Sequence, residues 1–205
     1  MVMGELANRG EAMIVPEGFY KQVSSILNAA RDKAYTTINF TMVEAYWEIG
    51  KSILEEQGGE ERAVYGEALI DELAVRLTRD FGKGFNTRNL RYMRQFYLAF
   101  PIRNALRSEL SWTHYRRLMR IPDSEARTWY MNECADSRWS TRQLERQINT
   151  MFRERLLASK DKETVAQEIQ KSAPARRPED IIRDPYVLEF LGFSDDAAFR
   201  ESDLE

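Results

Sequence analysis

The chain has 205 residues, of which 43% are hydrophobic and 31% charged, and this composition predicts a globular protein with enough apolar material for a buried core. Because no run of about 18 apolar residues is present, a membrane-spanning helix is excluded. One cysteine and one histidine exclude a disulfide framework and a zinc site of the usual cysteine and histidine kind. The scarcity of cysteine also favours a reducing compartment, and we predict a cytoplasmic protein.

Residues 1–16 are predicted to form a flexible leader, because they are mixed in charge and lack the apolar stretch of a signal peptide. From residue 19 to about residue 57 the chain is predicted to form one long helix or two. An apolar stripe follows this region at three- and four-residue steps, made of Ile38, Met42, Val43, Tyr46, Ile49 and Ile53. The stripe, with Trp47 beside it, indicates either the core of the domain or a surface that pairs helices between subunits.

A second helix is predicted from about residue 60 to 81, where Gly82 and Gly84 can adopt the positive φ that ends a helix. A third is predicted from about residue 87 to 100, before Pro101. Shorter helices are expected near residues 112–120, 123–135 and 141–157. Glycine and proline are sparse and strand-like alternation is hard to find, so the sequence predicts an all-α, multi-helix bundle over residues 17–158.

Two of these helix starts share a capping pattern. Asn86 can cap the helix that follows it while Phe85 packs against Leu90. Ser140 can cap a later helix, and Gln143 completes its capping box. The repetition indicates either an internal duplication of a helix-turn-helix entry or the same capping chemistry reached twice.

Beyond residue 158 the composition changes. Residues 159–183 are charged and contain prolines, which predicts a weak helix followed by a linker. Residues 184–205 begin with a compact apolar patch that includes Tyr186, Val187 and Phe190. We interpret them as a short C-terminal extension of the bundle.

Positive charge is concentrated in the centre of the chain. Residues 82–121 contain nine basic residues and one acid, Glu109, a formal balance of +8, which leaves −11 for the remainder against the net charge of −3. The nine are Lys83, Arg88, Arg91, Arg94, Arg103, Arg107, Arg116, Arg117 and Arg120. A basic centre in an acidic protein indicates a negatively charged partner, although the net charge alone argues against nucleic acid.

The second and third predicted helices have the order of a helix-turn-helix, whose second helix presents polar side chains to DNA. On that second helix Arg88, Arg91 and Gln95 lie on one face, and Asn89 and Arg94 flank it. Arginine can donate two hydrogen bonds to guanine or phosphate, and the amide side chains can pair with adenine. The alternative is a solvated basic face that balances the acidic helices around it.

A second basic cluster consists of Arg116, Arg117 and Arg120, next to Trp112 and Tyr115. We predict that these arginines supply supporting phosphate contacts. For the two aromatic residues we favour a place in the core, past which the arginine side chains extend to solvent.

We find no active site in the sequence. Hydrolytic nucleases need clustered carboxylates that hold Mg²⁺, usually with a nearby lysine, and no such motif lies on a plausible strand. A Walker-type loop and a nucleophile elbow are also missing. We therefore predict a non-catalytic chain with no catalytic residue, metal site, cofactor or small-molecule substrate.

Several blocks of the sequence, taken in order, resemble one family. They are YWEIGK at residues 46–51, YG at 65–66, FGKGF at 81–85, NLRYMRQFY at 89–97, LSWTHY at 110–115, WSTRQLERQI at 139–148 and DPYVLEFLG at 184–192. Together they resemble the N-terminal domain of the bacterial YhcG family, with the last block similar to its junction with a second domain. The resemblance implies a two-part protein whose second domain is a restriction-endonuclease-like (PD-(D/E)XK) nuclease that uses Mg²⁺ and lies beyond this chain.

The sequence thus predicts a non-catalytic module that binds nucleic acid, in the first place DNA, and targets a nuclease. The predicted contacts are Arg88, Asn89, Arg91, Arg94, Gln95, Arg116, Arg117 and Arg120. The alternative is a protein–protein interaction or oligomerisation domain without direct DNA contact. Both can hold together, because symmetric dimers suit duplex DNA, and we expect a homo-oligomer.

Overall fold

The computed structural model describes residues 15–58, 63–159 and 185–191, and every regular element in these ranges is helical. The α-helices are α1 (Glu17–Glu56), α2 (Ala63–Phe81), α3 (Thr87–Ala99), α4 (Trp112–Leu118), α5 (Ser124–Asp136), α6 (Thr141–Asn149), α7 (Phe152–Ala158) and α8 (Pro185–Phe190). Single 3₁₀ turns lie at Lys83–Phe85 and Arg103–Ala105. The predicted all-α bundle is confirmed. Within the described ranges, no helix is long and apolar enough to cross a membrane.

The predictions for the two ends of the chain fall almost wholly outside the described residues. This holds for the leader at residues 1–16, the linker at 159–183 and most of the extension at 184–205. Only the apolar patch of the extension is described, as α8.

The predicted region 19–57 forms one continuous helix, α1, of 40 residues. Its second half carries the predicted apolar stripe. Met42 and Val43 are fully buried there, and Tyr46 and Ile53 are nearly so. The stripe therefore forms part of the core of this same chain, and it is not available to pair helices between subunits.

α3 crosses α1 at Gly50, where the two backbones touch. A Cβ atom on Gly50 would lie 2.0 Å from the carbonyl oxygen of Met93, so only glycine allows α3 to lie this close. Beside the crossing, the buried indole N–H of Trp47 donates to the carbonyl oxygen of Phe100 at 2.6 Å. These contacts fix the position of α3 and therefore decide which of its side chains face solvent.

α4 packs beside α3 through aromatic side chains. The Phe96 ring of α3 lies 5.3 Å from the Trp112 ring and 4.8 Å from the Tyr115 ring, measured between centroids. Both α4 aromatics are fully buried, as predicted, and burial raises the pKa of the Tyr115 phenol. The packing brings the two arginine-bearing helices side by side.

Both predicted helix caps are confirmed. The side-chain oxygen of Asn86 accepts from the Asn89 N–H at 3.1 Å. In the capping box, Ser140 Oγ accepts from the Gln143 N–H at 3.3 Å, and Gln143 Oε1 accepts from the Ser140 N–H at 2.7 Å. Local capping chemistry thus sets the first residue of α3 and of α6.

The start of α4 uses the single histidine in a structural role. His114 Nδ1 accepts from the Ser111 N–H at 3.0 Å. The ring proton must then lie on Nε2, which donates to the carbonyl oxygen of Trp139 at 3.0 Å. Because His114 is buried and both ring nitrogens are engaged, it ties α4 to the segment before α6 and is not available to a substrate.

The helix predicted over residues 141–157 is interrupted. α6 ends at Asn149, Met151 adopts the left-handed conformation with φ of 48°, and α7 begins at Phe152. Such a conformation is costly for a residue with a Cβ atom. The turn places Phe152 in the core, where the centroid of its ring lies 6.1 Å from that of Trp139. Tertiary packing therefore interrupts the helix that the sequence pattern predicts as continuous.

α8 packs back onto the start of the basic region. Val187 is buried, and the ring of Phe190 lies 6.1 Å from that of Tyr46 in α1. A Cβ atom on Gly84 would lie 3.1 Å from the Cβ of Glu189, so α8 also rests on the turn before α3. Residues far apart in the sequence therefore meet beside α3.

Candidate nucleic-acid interface

Seven of the nine basic residues of the 82–121 segment fall into two groups in the structure, Lys83 and Arg94 being outside both. The first group is paired with acids inside the fold. Its ion pairs are Arg103 with Glu44 at 3.0 Å, Arg107 with Asp136 at 2.6 Å and Arg117 with Glu145. Each pair joins elements that are distant in sequence, so the positive charge is neutralised where it lies.

The second group surrounds Tyr92 on α3. The guanidinium carbon of Arg116, on α4, lies 4.3 Å from the centre of the Tyr92 ring. Arg88 is exposed one turn before Tyr92, and Arg120 is exposed four residues after Arg116. The positive charges of both arginines lower the pKa of the Tyr92 phenol. Neither these two nor Arg116 forms an ion pair with a described acid. Arg91 has only a long contact with Asp71, 4.0 Å between two half-exposed side chains.

The positive charge of this group lowers the pKa of Tyr92. The pKa of its phenol is lowered, first of all by hydrogen bonding with Arg116. Partial burial opposes this change, and the positive charges of Arg116, Arg88 and Arg120 lower the pKa further. A lowered phenol pKa means that negative charge is favoured at this position.

An open concavity of about 350 Å³ lies on the exposed face of α3. It is lined by Arg88, Arg91, Tyr92 and Gln95. Two guanidinium groups, a phenol and an amide thus converge on one space, and all of them can form hydrogen bonds. We call the surface made by these four residues with Arg116 and Arg120 the Tyr92 surface.

A second tyrosine reaches the edge of the Tyr92 surface from α8. The guanidinium carbon of Arg116 lies 5.4 Å from the ring centre of Tyr186, in addition to its contact with Tyr92. Arg116 therefore makes cation–π contacts with two aromatic rings, which orient its planar group. These contacts leave the guanidinium half-buried rather than fully extended into solvent.

Five of the eight predicted contact residues lie together on this surface: Arg88, Arg91, Gln95, Arg116 and Arg120. Three differ from the prediction. Asn89 is 9% exposed and its amide donates to the Gly84 carbonyl oxygen at 2.9 Å, so it stabilises the turn before α3 instead of facing a partner. Arg117 is engaged by Glu145. Arg94 is half-buried and does not line the concavity, although helical geometry places it roughly 60° around the helix from Arg91.

Sequence reasoning missed Tyr92 and Tyr186. Tyr92 follows Arg88 by four residues, a spacing that places both on one side of a helix. That spacing was a usable signal, but an aromatic residue in a predicted helix is more readily interpreted as core. Tyr186 gave no signal, because only the packing of α8 brings it to the surface. Among the described residues, no group of three His, Cys, Asp or Glu side chains could hold a metal ion.

Residues 22–155 match the family model described as the DUF1016 N-terminal domain. The chain belongs to this family. The whole of the Tyr92 surface, apart from the neighbouring Tyr186, lies inside the matched DUF1016 region.

A relative of this DUF1016 chain bears out the resemblance to the YhcG family. The protein named "Putative nuclease YhcG", from Escherichia coli strain K12, is 38% identical over 216 aligned positions, which cover 88% of this chain and 56% of the relative. The chain therefore spans about half the length of that relative. No solved structure matches the chain.

Proposed function

We propose that this DUF1016 domain binds nucleic acid, in the first place duplex DNA, through the Tyr92 surface. The observation that carries the proposal is the convergence of Arg88, Arg91, Arg116 and Arg120 around one tyrosine of α3. Three of these four arginines have no described acidic partner. Arginines free of internal ion pairs can neutralise phosphates, which supply most of the affinity of proteins for DNA.

The arrangement on α3 supports DNA more than a small anion. Arg88, Arg91 and Gln95 are exposed along about two turns of one helix, and they end on an open surface. Arginine and glutamine are side chains that pair with base edges in the major groove. In this proposal Arg116 on α4 and Arg120 in the turn that follows it contact the phosphate backbone. In this proposal α2, the turn and α3 act as a helix-turn-helix unit, although α3 packs chiefly on α1.

The domain supplies binding and no catalytic group in this proposal. The relative is named as a nuclease, and the chain spans about half of it. Catalysis, with the Mg²⁺ that it requires, would belong to the second domain that the YhcG resemblance implies. The module would then hold DNA for that domain in the cytoplasm.

The test is a fluorescence-anisotropy titration of the 205-residue chain against a labelled duplex of about 25 base pairs at several salt concentrations. The variant Arg88→Ala/Arg120→Ala removes two unpaired charges. We expect its affinity at low salt to fall at least about tenfold, and its salt slope to lose close to two units, because two phosphate contacts are lost.

The matched control is Arg76→Ala/Arg79→Ala, which changes the net charge equally. Both control arginines are exposed on α2 and are paired with Glu72 and Asp80. Binding by the control should stay close to that of the unmodified chain. Equal losses in the two double variants would show only a general charge effect, and unchanged affinity in Arg88→Ala/Arg120→Ala would overturn the assignment of the Tyr92 surface.

A further inference from the structure

The first half of α1 carries large apolar side chains that face solvent. They are Phe19, Tyr20, Val23, Ile26 and Leu27, and all are exposed, from 39% for Val23 to 62% for Tyr20 and Ile26. Their spacing of three and four residues places them on one side of the helix. Contiguous apolar patches of this kind mark surfaces that contact another molecule.

Nothing in the described part of the chain covers this half of the helix. Between residues 17 and 34 every side chain except that of Ser24 is exposed. A helical segment of this length is marginal in water by itself, and most helices owe their stability to packing of an apolar face. The exposed stripe and the unsupported length together indicate a missing partner.

We infer that residues 17–33 of α1 form a dimerisation arm, which pairs antiparallel with the same segment of a second copy of this chain. The segment has a heptad pattern in which Tyr20 and Leu27 occupy the first core position, and Val23 and Ala30 the second. The heptad position farthest from the contact between the two helices faces solvent and favours polar or small residues. It is occupied by Gly18, Ser25 and Asp32.

The core of the antiparallel pair is complementary in size. With the two-fold axis near residue 25, Tyr20 lies opposite Ala30 of the partner subunit, and Val23 lies opposite Leu27 of the partner subunit. A large residue thus meets a small one at each end, and two aliphatic residues meet at the centre. A parallel pair would instead place Tyr20 against its own copy and Ala30 against its own copy, which leaves the core uneven.

The flanking charges favour the same arrangement. In an antiparallel pair each flank meets the equivalent flank of the other helix, so Glu17 lies opposite Arg31 of the partner subunit at both ends. On the other flank Ile26 meets the partner's Ile26 at the axis. Glu17 and Arg31 are both exposed, and Glu17 has only a 3.5 Å contact with Lys21 within its own helix. This charge complementarity between equivalent segments supports a second copy of the chain as the partner.

The area available fits a dimer of modest affinity. Five large side chains that each expose on the order of 100 Å² give roughly 1,000 Å² over two copies, the lower limit for a specific interface. We therefore expect a dissociation constant in the micromolar range.

Sedimentation-velocity analysis of the 205-residue chain over a range of concentrations tests the inference. The mass should rise from the 24.0 kDa of one chain towards twice that value. Ile26→Glu places two like charges at the axis and should leave a monomer. Ser25→Glu, one residue away on the outer side, makes the same charge change and should leave the dimer intact.

A charge exchange tests the direction of the pair. Glu17→Arg and Arg31→Glu should each weaken the dimer, whereas the double variant Glu17→Arg/Arg31→Glu should restore it. Ser24→Cys should form a disulfide-linked dimer on mild oxidation, because Ser24 meets the partner's Ser24 only in the antiparallel pair. A chain that is monomeric at all concentrations overturns the inference. This holds whether the apolar side chains of the first half of α1 remain exposed or are covered by other residues of the same chain. A dimer that is indifferent to Ile26→Glu and to the exchange also overturns it.

Discussion

The two halves of α1 carry similar apolar patterns and have different environments. The half from residue 38 to 56 is packed under α3, with Met42 and Val43 fully buried, whereas Phe19 and Ile26 in the first half are mostly exposed. One continuous helix joins them. The difference shows that apolar periodicity predicts which face of a helix will be buried, but not which surface packs against that face.

What distinguishes the second half is a set of contacts with distant residues. Gly50 admits the backbone of α3, Trp47 donates to the Phe100 carbonyl oxygen, and the Asn39 amide donates to the Leu110 carbonyl oxygen at 3.0 Å. In the first half, Tyr35 packs against the core near the end of the segment, whereas the side chains of residues 17–34 are exposed apart from that of Ser24. Matched substitutions in the two halves should therefore give unequal effects on the free energy of unfolding.

The largest contrast is expected between two glycines. Gly50→Ala should lower the free energy of unfolding by about 3 kcal/mol or more, because the new Cβ would meet the Met93 backbone, which cannot rotate away. Gly18→Ala in the first half meets nothing within 4 Å and should leave stability unchanged or raise it by up to about 1 kcal/mol. Urea unfolding followed by circular dichroism measures both. Similar losses in the two variants would contradict the contrast.

A smaller contrast is expected for hydrogen-bonding aromatics. Trp47→Phe removes the indole N–H and leaves the Phe100 carbonyl oxygen unpaired in the core, which should cost about 1–3 kcal/mol. Tyr20→Phe removes a hydroxyl from an exposed side chain and should stay within about 0.5 kcal/mol. Thermal and chemical unfolding should both show the larger loss of unfolding free energy for Trp47→Phe. An equal loss for Tyr20→Phe would mean that the Tyr20 hydroxyl has a hydrogen-bond partner within the chain.

The smallest contrast is expected for two valines. Val43→Thr keeps the side-chain shape but places a polar hydroxyl in the apolar core, for a cost of about 1–2 kcal/mol. Val23→Thr at a partly open position should change stability by less than about 0.5 kcal/mol when measured at concentrations where the chain is monomeric. A cost at residue 23 that matches the cost at residue 43 would mean that the first half is covered by its own chain.

Local features of the fold could be predicted from the sequence because they depend on neighbouring residues. The caps of α3 and α6 are set by Asn86 and Ser140 within one turn, and both were predicted. The break between α6 and α7 was not, because Met151 has no local preference for the left-handed conformation and adopts it when Phe152 packs in the core. Tertiary packing decides such positions.

The candidate site could be predicted in part for the same reason. The one-sided placement of Arg88, Arg91 and Gln95 follows from helical spacing. Whether an arginine remains unpaired depends on acids elsewhere in the chain, and Glu145, which engages Arg117, lies 28 residues away. Asn89 was predicted to contact nucleic acid, but its hydrogen bond to the Gly84 carbonyl oxygen depends on how the preceding turn folds and holds it in the core.

The unbroken length of α1 sets a spacing. From the two-fold axis near residue 25 to Gly50, where α3 rests on α1, the helix rises about 38 Å at 1.5 Å per residue. The α3 crossings of two joined copies would then lie about 75 Å apart, close to the length of two turns of duplex DNA. The length of the arm would therefore set the distance between the two binding surfaces. Lengthening each arm by one heptad would move these surfaces apart by about 21 Å in total, and it would increase the distance between the DNA segments that one dimer can hold by the same amount.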